Sequence, residues 1–229
     1  MRSPSATPGV ATWRPQLFGG GNAKKVVDPL IEPHWEGDRV LVGVTLGDDA
    51  RVEIVDEHGT PIVDEAGISA ELLAATRASS LVVDGYLTTQ ATRSIEGLGL
   101  EGPHAPSVGD MTAQMFLGSA GRRRRAELAD AQAQALAAGP LAFVAVDLLA
   151  VDDVPILDAP LLERKRILDG VLLESDLVRR TAFVRLPIDA WVGTWRSIGF
   201  RTMAYKAANG RYLPGEKNPG WATVAIPSR

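Results

Sequence analysis

The stretch IEPHWEGDRVLV, running from Ile31 to Val42, crowds His34, Glu36, Asp38 and Arg39 around one glycine, Gly37. Each of these residue types has a chemistry. A histidine ring nitrogen can attack phosphorus or act as a general base. Two acids flanking a turn suit hydrolysis or a bound cation, and an arginine neutralises phosphate oxygens. In extended chain, side chains alternate, so His34, Glu36 and Asp38 share a face and a His/Glu/Asp metal cluster can be built from them. The plainer arrangement is a solvated turn with a local ion pair, which acids beside a turn glycine form without further cause, and it is the one expected here. His58 and His104 fall in loops with no ligand spacing to His34 and are expected at the surface.

The elements that must position these residues follow from periodicity. RVLVGVTL and RVEIVDEHGTPIVD are β-rich, the second folding back at Glu57-His58-Gly59. SAELLAATRA predicts a short helix with Ser69 as its N-cap, and SLVVDGYLTT returns to strand. After a Gly/Pro loop, RRRRAELADAQAQALAAGP predicts a helix stopped by Gly139-Pro140. LAFVAVDLLAV reads as a buried strand, APLLERKRILDGVLLES as an amphipathic helix and TAFVRLP as another strand. The last segment predicts two strands around a polar loop. Residues 1–22, rich in Pro, Ser, Thr and Gly, predict a flexible N-terminal arm anchored by Trp13 and Leu17, with one domain over 23–229. The class is α+β.

Composition excludes several functions. With 45% hydrophobic residues in 229, the chain can bury a sizeable core, and a net charge of −4 argues against coating nucleic acid by bulk electrostatics. The chain contains no cysteine, which removes disulfides, thiolate zinc sites and cysteine nucleophiles. No apolar run is long enough to span a bilayer, so no membrane partner is expected and a cytoplasmic location is. The most basic feature, Arg122, Arg123, Arg124 and Arg125, opens a predicted helix where cations oppose the macrodipole, a conflict that suits a phosphate or acidic partner. The alternative is a solvated helix start balanced by Glu127 and Asp130. Trp191 and Trp195, at helical spacing, are expected in the core.

Several pieces, in order, resemble the adenylation domain of ATP-dependent DNA ligases, in the nucleotidyltransferase superfamily of RNA ligases and mRNA capping enzymes. The likeness covers about Pro15 to Pro227. The family's Glu-Pro-Lys-x-Asp-Gly-x-Arg is matched by Glu32-Pro33-His34-Trp35-Glu36-Gly37-Asp38-Arg39, and its Asp-Gly-Glu by Asp84-Gly85-Tyr86. Phe-Asp followed by Leu-Leu is matched by Val146-Asp147-Leu148-Leu149, and Pro-Leu-Leu-Glu-Arg is repeated in full from Pro160 to Arg164. The closing blocks correspond to Arg201 through Lys206, Tyr212-Leu213-Pro214-Gly215 and Trp221 through Ala225. The resemblance implies two antiparallel sheets flanked by helices, an ATP-grasp-like fold, and a cleft between the sheets lined by His34, Arg39, Tyr86, Val146, Arg201 and Lys206. It also implies an association with DNA repair and a nucleotide, ATP or AMP, or a nucleic-acid end as partner.

The departures carry as much information as the matches. In the family, the first motif's lysine attacks the α-phosphate of ATP to form a lysine–AMP phosphoramidate; His34 stands in that place. A turn arginine becomes Glu57, the ribose- and metal-facing glutamate becomes Tyr86, the adenine-stacking phenylalanine becomes Val146, a second metal carboxylate becomes Arg201, and two triphosphate lysines become Thr223 and Ala225. Arg39 keeps its identity. Nucleotidyl transfer rests on positioning and on cations that neutralise developing charge, and losing one such group costs about 10²- to 10³-fold in rate. The expectation is therefore a catalytically inactive member that binds a nucleotide, nucleic acid or protein, with no divalent metal and with Glu57 and Arg201 neutralising each other. The family's OB-fold domain is not expected within the chain. The alternative is an active nucleotidyltransferase using His34 as substitute nucleophile.

Overall fold

The strand DRVLVGVT alternates cleanly: Val40, Val42 and Val44 enter one core, and Arg39, Leu41 and Gly43 alternate with them. This period of two lets one strand serve two layers. The computed structural model describes residues 9–64, 66–90, 141–197 and 199–227. Within them the strands are β1 (Leu17–Phe18), β2 (Pro29–Pro33), β3 (Asp38–Thr45), β4 (Arg51–Asp56), β5 (Ser80–Thr88), β6 (Ala142–Val151), β7 (Val154–Pro155), β8 (Val178–Arg180), β9 (Thr202–Ala207), β10 (Lys217–Asn218) and β11 (Trp221–Ala225). The helices are α1 (Ile68–Ala75), α2 (Leu161–Val171) and α3 (Asp189–Ser197). The predicted helix over 122–138, His104 and Arg122, Arg123, Arg124 and Arg125 lie outside the described residues.

The larger sheet runs β4-β3-β5-β6-β7, with β8 beside β6, and the smaller runs β11-β9-β2. The fold is α+β with two principal sheets, but two details differ from the expectation. β8 joins β6 in parallel, so the larger sheet is mixed at that edge, and β1 and β10 form a separate two-stranded parallel pair. Apolar residues on one face of the larger sheet (Val42, Val83, Phe143, Leu148) meet Leu72 of α1 and Leu168 of α2. The smaller sheet packs α3 on its outer side, where Ile31 and Met203 meet Trp195, so the core expectation for Trp195 holds, with Trp191 partly buried against it.

Three local readings change. Helix α1 is entered through Gly67 at φ 76°, and Ser69 lies inside it. The cap is supplied from further back: the Asp64 carboxylate accepts from the backbone N–H groups of Ile68 (3.1 Å) and Ser69 (2.6 Å). The strand expected at TAFVRLP forms earlier, as β8, leaving one bridge between Ile31 and Val184. The segment expected as a flexible arm packs on the domain from residue 9 onward. Val10, Trp13 and Gln16 are buried, whereas Leu17, the second anchor expected, is 41% exposed.

Candidate functional site

Residues 34–37 do not close a hairpin. They carry the chain from β2 in the smaller sheet to β3 in the larger one, which puts His34 at the seam between the sheets. Gly37 sits at φ 141°, and a Cβ there would run into the Leu87 carbonyl, so the crossing needs glycine. The crossing is tied at both ends: the His34 N–H donates to the Thr202 carbonyl at 3.0 Å, and the Thr88 hydroxyl donates to the Glu36 carbonyl at 2.6 Å. Glu36 and Asp38 are exposed, but the local ion pair expected with Arg39 does not form, because Arg39 turns to Asp84 on β5; among the described residues no group of three His, Asp or Glu side chains could hold a metal ion.

The His34 ring is half-buried and edge-on to two aromatic rings, Phe18 at 5.2 Å and Tyr86 at 6.1 Å between centroids. Around it lie three carboxylates on strands, each met by cations. Arg39 and Asp84 form a bidentate pair (3.0 and 2.7 Å), and the Tyr212 hydroxyl donates to the same carboxylate at 2.7 Å. Asp147, opposite Asp84 in the β5–β6 register, is paired with the fully buried Arg164 of α2 through two bonds of 2.8 Å. Glu32 on β2 is shared by Lys206 of β9 at 2.7 Å and Lys165 of α2 at 2.6 Å. The Lys165 contact is an ion pair without hydrogen-bond alignment. Arg39, Arg164, Lys165 and Lys206 thus outnumber Glu32, Asp84 and Asp147 by one cation.

That surplus and the burial set the electrostatics. Burial first, then the nearby Lys206 and Arg39 cations, lower the His34 pKa below its usual 6.5, so the ring is neutral at pH 7. Burial and the Lys165 ammonium hold Lys206 below its ordinary value against the pull of Glu32. For Arg39 burial acts downward, but Asp84 overrides it and raises the guanidinium. Lys206 also lies 4.4 Å from the centroid of the Trp221 ring, and Arg39 lies 5.9 Å from it.

The structure brings His34, Arg39, Tyr86, Val146 and Lys206 together around one small cleft, and does not bring Arg201 there. Arg201 is exposed just before β9. Glu57 is exposed in the turn after β4, 3.6 Å from His58, and forms no ion pair with Arg201, so the expected mutual neutralisation is absent. Sequence reasoning missed Phe18, Glu32 and Trp221 as lining residues. A signal existed for Glu32: an acid inside the apolar strand PLIEP must be partnered if buried, and the lysine in TMAYKA is its counterpart. Nothing marked Phe18. The cleft encloses about 10 Å³, room for about one water.

Neither a protein-family model nor a curated protein sequence matches the chain. Solved structures do. The ligase domain of DNA ligase D from M. tuberculosis superposes with a TM-score of 0.58 at 18% identity, covering 93% of this chain and 59% of that one. A mycobacterial DNA ligase D complexed with ATP and MES gives 0.57 at 16%, with 93% and 60% covered. A structure described for DNA binding by Lig E ligases with a minimal scaffold gives 0.52 at 12%, with 93% and 68% covered. The chain spans less than two thirds of the ligase D structures. Its fold, two sheets enclosing a cleft with His34 at the seam, is that of the ligase (adenylation) domains of ATP-dependent DNA ligases.

Proposed function

We propose that the chain is a catalytically inactive ligase-type domain that serves as a binding module for a nucleic-acid end. The observation that carries this reading is the closure of the cleft. A small-molecule site needs about 300–1,000 Å³, and this one encloses about 10 Å³. The group that the fold implies, ATP with a divalent ion, does not fit the described residues: Glu32, Asp84 and Asp147, the buried carboxylates among them, are bound to arginine or lysine and leave no free donor set there. The neighbours include one complexed with ATP and one described for DNA binding, and the closed cleft weighs for the nucleic acid. A basic run at Arg122, Arg123, Arg124 and Arg125 is the segment proposed to meet phosphate.

One observation favours a second reading. His34 is neutral, the form in which a ring nitrogen attacks phosphorus. Incubation with α-labelled ATP and magnesium or manganese, followed by denaturation, separates the two. No labelled band is expected for the wild type or for His34→Lys, because a restored lysine would still lack the metal carboxylates and the triphosphate cations. A stoichiometric band in the wild type overturns the reading. Calorimetric titration is expected to give heat with nicked duplex and none with ATP or AMP, with or without magnesium.

A further inference from the structure

The cleft is closed by a piece of chain that belongs to neither principal sheet. Phe18 lines it, with its ring 5.2 Å from His34 and 5.4 Å from Trp221. Phe18 sits on β1, whose two residues pair with β10 alone. Two backbone bonds flank it: Leu17 N–H to the Glu216 carbonyl at 2.9 Å and Gly19 N–H to the Trp221 carbonyl at 3.0 Å. The two sides of this short strand are unlike. On the N-terminal side Gln16 is fully buried, its backbone N–H bonded to the Tyr212 hydroxyl at 2.9 Å. On the C-terminal side come Gly19, Gly20 and Gly21, with Gly20 at φ 67°.

We infer that Leu17–Phe18 is a hinged strap whose Phe18 ring is a removable plug, so that the cleft opens when the strap leaves β10. This extends the reading of the cleft as closed and rests on it. Leaving β10 gives up one half-buried ring, a pairing of only two residues and the two backbone bonds that flank it. The sheets, in contrast, are locked by fully buried pairs. Three successive glycines let the backbone change direction without a side-chain clash. Behind the strap, opening uncovers Trp221 and Lys206, an indole and an amine that are buried in the closed form, and exposes more of the half-buried His34 ring.

Because the chain has no cysteine, the strap can be locked chemically. Leu17 and Lys217 are register partners, and both are exposed. In the Leu17→Cys/Lys217→Cys variant, amine acetylation of Lys206 is followed by peptide mass spectrometry, with the exposed Lys24 as reference. The reduced form is expected to modify Lys206 about tenfold faster than the oxidised form, as local opening predicts. Phe18→Ala, which removes the plug and leaves the ladder, is expected to raise the Lys206 rate by a similar factor without changing the Lys24 rate. If the disulfide does not form, Phe18→Ala against wild type carries the comparison alone. Equal Lys206 rates in locked and unlocked protein, or an unchanged rate in Phe18→Ala, overturn the strap. Neither result depends on ATP, so failure here leaves the self-labelling experiment independent.

Discussion

The two faces of the larger sheet are built from alternate residues of the same strands, yet they are held by different physics. On one face Val40, Val42, Leu81, Val83, Phe143 and Leu148 pack against α1 and α2 with no buried charge among them. On the other, Arg39, Asp84 and Asp147 stand in the layer that faces the cleft and are satisfied by partners from β3, α2 and the Tyr212 loop. The first face needs volume, and a neighbour of similar size will serve. The second needs identity, because a buried charge that loses its partner is left uncompensated. The layer beneath the cleft is held in place by its own counter-ions.

The sharpest way to break the comparison is to remove one carboxylate. Glu32→Ala leaves Lys165 and Lys206 buried without an anion, and urea denaturation is expected to show a loss of about 3–5 kcal/mol. The combined change Glu32→Leu, Lys165→Met and Lys206→Met is expected to be neutral or stabilising by about 1–4 kcal/mol, since it removes charge and desolvation together. A triple variant as unstable as the single one would mean that the charges hold the sheets in register. On the apolar face Leu148→Ala is expected to cost about 2–5 kcal/mol, and here restoring volume with Met should recover most of it.

Smaller effects sharpen the picture. Tyr212→Phe removes the hydroxyl that donates to Asp84 and accepts from the Gln16 backbone, an expected loss of about 1.5–3 kcal/mol for a bond to a charged group. The smallest concerns acid. The folded His34 has a pKa below the unfolded 6.5, so on acidification the unfolded chain takes up the proton first and stability falls as the pH drops through that value. His34→Gln should lose less stability than wild type between about pH 7.5 and about pH 5.5, as urea midpoints measured across that range would show.

Most of the fold was legible because it rests on period and punctuation. The strands through Val40, Val83 and Val144, the Pro160-led helix and the turn at Gly59 all follow from local residue choice. Where the reading failed, a distant residue decided the outcome. Ser69 has the right type for an N-cap, but Asp64 reached past it. TAFVRLP has strand composition, but the edge of β6 was taken by Val178–Arg180. Five of the six cleft residues assemble as motif order implied, because they sit on strands whose register fixes them. Arg201 does not, because it lies just outside β9. The aromatic closure was invisible in advance: Phe18 reaches His34 through a two-residue parallel pairing that no pattern in QLFGGGN announces.

Sharing one acid between two lysines also constrains how this chain can change. Glu32 answers to α2 and β9 at once, so a single substitution at any corner of Lys165, Glu32 and Lys206 leaves the other members miscounted. Only paired or triple steps pass between stable states. Sequences one substitution away are disfavoured at these three positions, while the exposed Leu17 beside the cleft has no such constraint. In a set of descendants of this chain the cleft floor should change rarely and in concert, and Leu17 often and singly.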